Sequence, residues 1–214
     1  MRARLPLVAS LAAPQSRRVA QHSLQSHILI GTPAASRSDP DFFAMLVGNQ
    51  VLGGGGFASR LTTEVREKRG FAYSVFSSVQ PWLERGPFQI ALQTRKDQAD
   101  EALAVVRGVL DEFLAKGPTD VELGNARRNL INGFPLRIDT NREVLDLIAM
   151  IGFYDLPPDW LTQWTKQIER VNRDDVVRAF RRLDPERMVT VVVGAPDESA
   201  VPNPNPAASP PRLR

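Results

Sequence analysis

Residues 62–75, which read TTEVREKRGFAYSV, join the end of a predicted helix to the start of a predicted strand. Residues 59–68 are rich in helix-forming side chains, and Leu61 and Val65 have the four-residue spacing of one helix face. Gly70 stands where a left-handed C-terminal cap commonly ends a helix. The aromatic and β-branched residues that follow predict a strand. The chain is therefore predicted to leave a helix at Gly70 and to return at once as a strand.

Arg66 and Tyr73 stand on either side of this turn, seven residues apart. Arg66 belongs to the last helical turn and Tyr73 to the beginning of the strand, so their polar ends are predicted to converge. A guanidinium and a phenol hydroxyl aimed at one point suit a carbonyl oxygen, or the negative charge that grows on it during attack. The alternative interpretation is a surface arginine in a charged helix end and a half-buried strand tyrosine.

Strands are predicted near both ends of the chain, with a helical block between them. The predicted strands cover residues 23–31, 72–79, 87–95 and 187–194. About six helices are predicted, and Thr119 and Glu122 have the spacing of a capping box that opens one of them. This order of elements predicts an α+β fold, in which helices pack on one face of a mainly antiparallel sheet of about four strands.

Four runs of sequence resemble one known family. They are LVGNQVLGGGGFASRLTTEVREKRGFAYSVFSSV, GPFQIALQTR, GFPLRIDTNR and RMVTVVVGA. Together they resemble the C-terminal domain of pitrilysin-type zinc metallopeptidases, in particular the bacterial two-domain group related to mitochondrial processing peptidase. The resemblance covers residues 18–195 and implies one half of a clamshell-shaped peptidase.

The same resemblance implies roles for two sets of residues. By motif position, Arg66 and Tyr73 form a pair that binds the scissile carbonyl of a peptide substrate. A glycine-rich loop lies near the internal chamber of such peptidases and helps to admit peptide; here it comprises Gly53, Gly54, Gly55 and Gly56. Judged from its sequence alone, this glycine run lacks the Gly-Lys-Ser/Thr of a phosphate-binding loop. It is therefore predicted to form a flexible or close-packed connection between two helices.

The family carries its catalytic zinc in another domain, on a helix with an H-x-x-E-H motif, and this sequence contains no such motif. A catalytic zinc site usually has three protein ligands and an activated water. This chain has two histidines, His22 and His27, and no cysteine. Their five-residue spacing on a predicted strand sends the two side chains to opposite faces. We therefore expect no metal, no bound cofactor and no catalytic residue for zinc chemistry on this chain.

The function that the resemblance implies is that of a non-catalytic, substrate-binding domain or subunit of a zinc endopeptidase. A partner with the H-x-x-E-H helix would carry the zinc, and this chain would bind an extended peptide through Arg66 and Tyr73. It is not expected to be active alone. One alternative is an inactive scaffold or assembly subunit of the same fold, in which the pair serves packing. Another is an isolated peptide-binding module.

Length and composition agree with one domain. At 214 residues and 43% hydrophobic content, the chain can form a single core of about 170 to 180 residues. We assign residues 1–17 to a flexible N-terminal segment or linker, 18–195 to the peptidase-type domain and 196–214 to a disordered Pro-rich tail. Residues 1–17 also resemble a secretory signal, but Pro6 interrupts a short apolar run, so a linker is preferred.

Charge and hydropathy exclude two kinds of partner. The 27 basic and 24 acidic residues give a net charge of +3, and the paired arginines are scattered, so no basic face for nucleic acid is predicted. No apolar run approaches the roughly 20 residues of a membrane span. The absence of cysteine excludes disulfides and thiol catalysis but leaves the compartment open between cytoplasm and periplasm.

Overall fold

A five-stranded mixed sheet forms the base of the protein in the computed structural model, which describes residues 5–194 apart from the side chain of Arg137. Its strands are β1 Gln15–Val19, β2 Gln25–Pro33, β3 Ala72–Val79, β4 Pro87–Arg95 and β5 Val189–Val193. Their spatial order is β1-β5-β2-β4-β3. The pairings are antiparallel except that of β1 with β5, which is parallel. β3 is therefore an edge strand.

Strict alternation of side chains gives this sheet one buried face. In the β2–β4 pair, Ile28 lies opposite Leu92 and Ile30 opposite Ile90, and all four side chains are buried. Burial of such a side chain contributes about 1.5 to 3 kcal/mol. On the other face Leu29 remains 45% exposed. The helices consequently cover one side of the sheet.

Six α-helices complete the fold. They are α1 Phe42–Asn49, α2 Ala99–Lys116, α3 Asp120–Gly133, α4 Asn141–Phe153, α5 Trp160–Arg170 and α6 Arg173–Phe180. α1 and α2 contact the sheet directly, whereas no described residue of α4 is buried. Phe180 joins sheet and helices, because its ring lies edge-on to Phe88 of β4 at 6.3 Å and to Phe113 of α2 at 5.0 Å between centroids. Such aromatic pairs add about 0.5 to 1.5 kcal/mol each beyond the burial of their area. These contacts fix α2 and α6 on the sheet.

Capping boxes begin three of the helices. The N-cap side chains of Thr119, Thr140 and Asn172 each accept a backbone N–H from the first turn, and an acidic residue three positions on bonds back. Each box satisfies two amides that a helix start would leave unpaired. The box predicted at Thr119 is confirmed.

The predicted fold class is confirmed, with five strands where about four were expected. The additional strand is β1, and its first three residues fall in the segment that we had assigned to a flexible arm or linker. Its sequence, QSRRV, has no apolar alternation, so the strand depends on its pairing with β5. The predicted tail, residues 196–214, lies outside the described part of the chain. Within that part, no helix combines the length and apolar character needed to cross a membrane.

An ion pair links the helical segment before Gly70 to α3. Arg60 donates to both carboxylate oxygens of Glu122, from Nε at 2.6 Å and from Nη2 at 2.7 Å, and it also donates to the carbonyl of Gly117 at 2.9 Å. Burial raises the pKa of Glu122, but hydrogen bonds from Arg60 and Thr119 outweigh that effect and lower the pKa to about 2. The ionised carboxylate therefore stabilises the folded state.

Substitution of Glu122 with glutamine should expose this contribution. Because the folded-state pKa lies below the unfolded value of about 4.3, the stabilisation is complete above that value and disappears as the pH falls towards 2. We expect Glu122→Gln to lower the free energy of unfolding by about 1 to 3 kcal/mol at pH 7, and by progressively less below pH 5, in urea titrations. The control is Glu112→Gln, which breaks an exposed pair with Lys116 and should change the free energy of unfolding much less than Glu122→Gln does. A difference that stays constant down to pH 3 would contradict this account.

Candidate functional site

Two π-helical segments stand on either side of the glycine-rich run. One extends α1 over Gln50–Gly54, and the other covers Thr62–Glu67. A 3-10 turn over Gly56–Ala58 lies between them. The sequence predicted that the glycine run connects two helices, and the first of them ends within that run, at Gly54. π-Helical turns are rare and frequently occur at functional sites. The hydrophobic periodicity of the sequence does not predict them.

The turn at Gly70 brings β3 back towards Arg66. Gly70 has a φ of +65°, its N–H donates to the Arg66 carbonyl at 2.9 Å, and the next N–H, of Phe71, donates to the Val65 carbonyl at 2.9 Å. The Gly70 bond is that of an αL C-cap, in which glycine is favoured because it adopts positive φ without strain. The predicted helix end and strand start are confirmed.

Arg66 and Tyr73 are in contact in the folded chain. Cζ of Arg66 lies 4.8 Å from the centroid of the Tyr73 ring, and Tyr73 is 85% exposed. The contact is thus between the guanidinium and the ring, which is a cation–π arrangement. Convergence of the guanidinium with the phenol hydroxyl on one ligand atom stays a prediction.

A β-bulge sets the direction of Tyr73. Ala72 pairs with Thr94 and Val75 with Leu92, so two residues of β3, Tyr73 and Ser74, stand opposite one residue of β4. Both are exposed, whereas strict alternation would turn one of them inward. Bulges commonly re-aim a side chain beside an active site. No residue pattern in the sequence predicts this bulge.

Phe57 is a second aromatic neighbour of Arg66 that the sequence analysis missed. Its ring centroid lies 4.7 Å from Cζ of Arg66, and the side chain is 68% exposed. Within residues 5–194, the Arg66 guanidinium has no hydrogen bond and no ion pair. Its five N–H donors are therefore free to bind a ligand. We call Phe57, Arg66 and Tyr73 the aromatic clasp.

The aromatic clasp borders a cavity of about 300 Å³. Three of the four predicted loop glycines line it (Gly53, Gly54 and Gly56), together with Thr62 and the β3 residues from Ser74 to Ser77. A larger cavity of about 690 Å³ surrounds Arg60 and Glu122, but these two charges are already paired with each other. The smaller cavity therefore offers the better ligand site, since an unpaired guanidinium faces it.

The glycine-rich run is close-packed at its start. A Cβ added to Gly53 would lie 2.5 Å from the amide nitrogen of Ser77 and 2.7 Å from Cδ1 of Leu61. Beside it, the buried Asn49 donates from Nδ2 to the Ser77 carbonyl at 3.2 Å and accepts from Ser77 Oγ at 2.7 Å. The helical turn thus lies directly on the middle of β3. Of the two connections that we had considered, the close-packed one is observed at Gly53.

The histidines lie apart from this cavity. His22 precedes β2 in the connection from β1, so the prediction that both histidines share a strand is wrong; the strand begins at Gln25. Both side chains are exposed. Among residues 5–194, no group of three or more His, Cys, Asp and Glu side chains could hold a metal ion. The donors of the described chain thus do not fit a catalytic zinc site.

Comparison with known proteins first defines the class. The fold matches the crystal structure of a peptidase M16 inactive domain from Pseudomonas fluorescens with a TM-score of 0.85 and 35% identity, over 91% of this chain and 46% of that one. The family model of the peptidase M16 inactive domain matches residues 5–130. The chain therefore belongs to the family of M16 inactive domains, the non-catalytic domains of pitrilysin-type zinc proteases. The resemblance found in the sequence is confirmed.

Curated relatives carry zinc-protease names. An uncharacterized zinc protease of Streptomyces coelicolor is 39% identical over 138 residues, which cover 64% of this chain and 30% of that protein. The alpha subunit of the mitochondrial-processing peptidase of Caenorhabditis elegans is 27% identical over 176 residues, covering 76% and 33% of the two chains. This chain thus spans less than half the length of these relatives.

The close packing of Gly53 can be tested by adding one methyl group. Gly53→Ala should lower the free energy of unfolding by about 1 to 3 kcal/mol, because the new methyl overlaps the β3 backbone. Gly108→Ala is the matched control, since an added Cβ there has no neighbour within 4 Å and the site lies in the exposed part of α2. It should stabilise the protein by about 0.5 to 1 kcal/mol. Equal stability of the two variants in urea unfolding would contradict the packing described.

Proposed function

We propose that this chain is the substrate-binding, non-catalytic domain of an M16 zinc endopeptidase, and that Arg66 and Tyr73 bind the scissile carbonyl of an extended peptide. The observation that carries the proposal is the unpaired guanidinium of Arg66, which lies 4.8 Å from the Tyr73 ring at the edge of an open cavity. Arg60, by contrast, is paired with Glu122, and Arg127 and Arg173 donate to backbone carbonyls. The N–H donors of Arg66 are therefore available to a ligand.

The two side chains suit the charge that peptide hydrolysis creates. When water attacks a peptide carbonyl, negative charge grows on its oxygen, and donors that point at that oxygen bind it more strongly than the ground state. Arg66 contributes a permanent positive charge, and Tyr73 contributes a hydroxyl that stays protonated near neutral pH. Together they would lower the activation barrier without supplying a nucleophile or a base.

The glycine-rich loop, Gly53 to Gly56, is proposed to admit the peptide to the same cavity. Three of its glycines line the cavity, and Gly56 has a φ of +59° with no heavy atom within 4 Å of an added Cβ. A backbone without side chains leaves room for another chain to approach closely. The peptide backbone could therefore lie between this loop and Tyr73.

The zinc is proposed to belong to a partner domain, either joined to this chain or separate. The sequence lacks the H-x-x-E-H motif, and the chain covers 30% of the Streptomyces relative and 46% of the Pseudomonas chain. When bound in that partner, zinc supplies the activated water of the reaction. This chain supplies the donors that bind the substrate carbonyl and one wall of the enclosing chamber.

Loss of the Tyr73 hydroxyl should reduce turnover much more than stability. We expect Tyr73→Phe, in the chain combined with its H-x-x-E-H-bearing domain and zinc, to lower kcat by about 10²- to 10³-fold with little change in KM. Cleavage of an extended peptide is followed by mass spectrometry. Because Tyr73 is 85% exposed, the substitution should change the free energy of unfolding of the protein by less than about 0.5 kcal/mol.

Tyr154→Phe is the matched control, because Tyr154 is the other of the two tyrosines and lies against Arg37 and Phe153. It should keep full activity. Intact activity of Tyr73→Phe would refute the role assigned to Tyr73. If the wild-type mixture cleaves nothing, the inactive scaffold is favoured; binding of extended peptides by this chain alone would favour an isolated peptide-binding module.

A further inference from the structure

Phe57 has a position that the proposed roles of Arg66 and Tyr73 leave unexplained. It is a large apolar side chain, 68% exposed, on the short turn Gly56–Ala58. Exposed phenylalanine gains little from burial, and this ring is not part of the hydrophobic core. Its one described aromatic or cationic contact is with Arg66, at 4.7 Å. The turn thus presents the ring to the guanidinium.

We propose that Phe57 is a positioning residue, which holds the Arg66 guanidinium beside Tyr73 while leaving all of its N–H donors available to substrate. This inference rests on the proposed function, because it concerns how Arg66 meets the peptide carbonyl. It assigns to the glycine-rich segment a second task besides admitting peptide: the segment orients a binding residue.

The choice of an aromatic partner has a chemical reason. A carboxylate would hold a guanidinium by accepting its N–H bonds and would cancel its charge, as Glu122 does for Arg60. An aromatic ring attracts the cation through its π face and accepts none of the in-plane donors. Two rings, Phe57 and Tyr73, therefore restrict Arg66 without occupying the groups that a carbonyl oxygen needs.

Buried bonds on both sides hold the turn that carries Phe57. Before it, Asn49 and Ser77 form their two hydrogen bonds and Gly53 packs on β3. After it, the fully buried Ser59 donates from Oγ to the Gly56 carbonyl at 2.7 Å. The exposed ring therefore extends from an anchored backbone. Such an anchored ring can fix a neighbouring side chain, because its own position is determined by the core.

The first test compares two substitutions in the zinc-loaded complex. Phe57→Leu keeps an apolar side chain but removes the π face, and we expect kcat to fall about tenfold, the equivalent of one cation–π contact. Phe57→Tyr keeps the π face and should retain kcat within about twofold. Phe153→Leu, which changes a 52% exposed phenylalanine on α4, is the control and should leave kcat unchanged. Equal losses in the leucine and tyrosine variants would overturn the proposal.

The second test needs no catalysis. In this chain labelled with ¹⁵N-arginine, the Arg66 Nε–H resonance, assigned by its loss in Arg66→Lys, should be shifted by the ring currents of the aromatic clasp. Phe57→Leu should move this resonance towards the position of a free arginine, and Phe57→Tyr should not. An unchanged resonance in Phe57→Leu overturns the proposal whatever the enzyme does. If the resonance moves but even the wild-type complex is inactive, the positioning by Phe57 stands and the proposed function fails.

Discussion

The buried pair of Asn49 and Ser77 is the interaction on which the surroundings of the cavity depend. It joins the end of α1 to the middle of an edge strand through two hydrogen bonds, and the side chains are 8% and 2% exposed. A buried amide or hydroxyl left without its partner costs about 1 to 3 kcal/mol, so each residue specifies the other. The π-helical turn follows directly and lies flat on β3, because Gly53 has no side chain to keep the two backbones apart. The edge of the sheet is thereby covered in part.

Arginine is used in two chemically distinct ways in this domain. Arg182 bonds Asp39 at 2.5 Å, and its guanidinium lowers the pKa of that carboxyl; the pair ties the end of α6 to the segment before α1. Arg60 ties its helix to α3 in the same manner. Arg66 and Arg37 differ from these two, since the described partners of each are two aromatic rings; those of Arg66 are both exposed, whereas Phe42 beside Arg37 is buried. A carboxylate partner accepts the N–H donors of a guanidinium and links two parts of the fold. An aromatic partner holds the guanidinium in position and leaves its N–H donors unbonded.

Local signals explain what the sequence could predict. The hairpin of β3 and β4, the positive φ at Gly70 and the capping box at Thr119 depend on residues close together in the chain. Contacts between distant segments explain the rest. β1 is polar and exists through parallel pairing with β5, at the opposite end of the described chain. The bulge at Tyr73 and the π-helical turns follow from how the helices meet the sheet edge, for which the sequence holds no periodic signal.

For the candidate site, sequence reasoning identified Arg66 and Tyr73 as a pair and missed Phe57. Spacing across the turn was sufficient for the pair, because the αL C-cap at Gly70 reverses the chain within a few residues. The approach of Phe57 depends on the anchoring of its turn by Asn49, Ser77 and Ser59, which belong to three different elements. Contacts of that kind cannot be read from residue spacing.

The exposure of Phe57 and Tyr73 beside the unpaired guanidinium of Arg66 favours the proposed substrate-binding role over an inactive scaffold. A scaffold gains little stability from two aromatic rings that are 68% and 85% exposed. A bulge and the αL C-cap at Gly70 hold Arg66 and Tyr73 on hydrogen-bonded backbone, so their geometry is set during folding, before any substrate arrives. Preorganised donors of this kind stabilise a charge that develops in a transition state without reorganising at that moment. Such donors, on a chain whose described residues form no metal-binding group, are what the substrate-binding half of a divided active site requires.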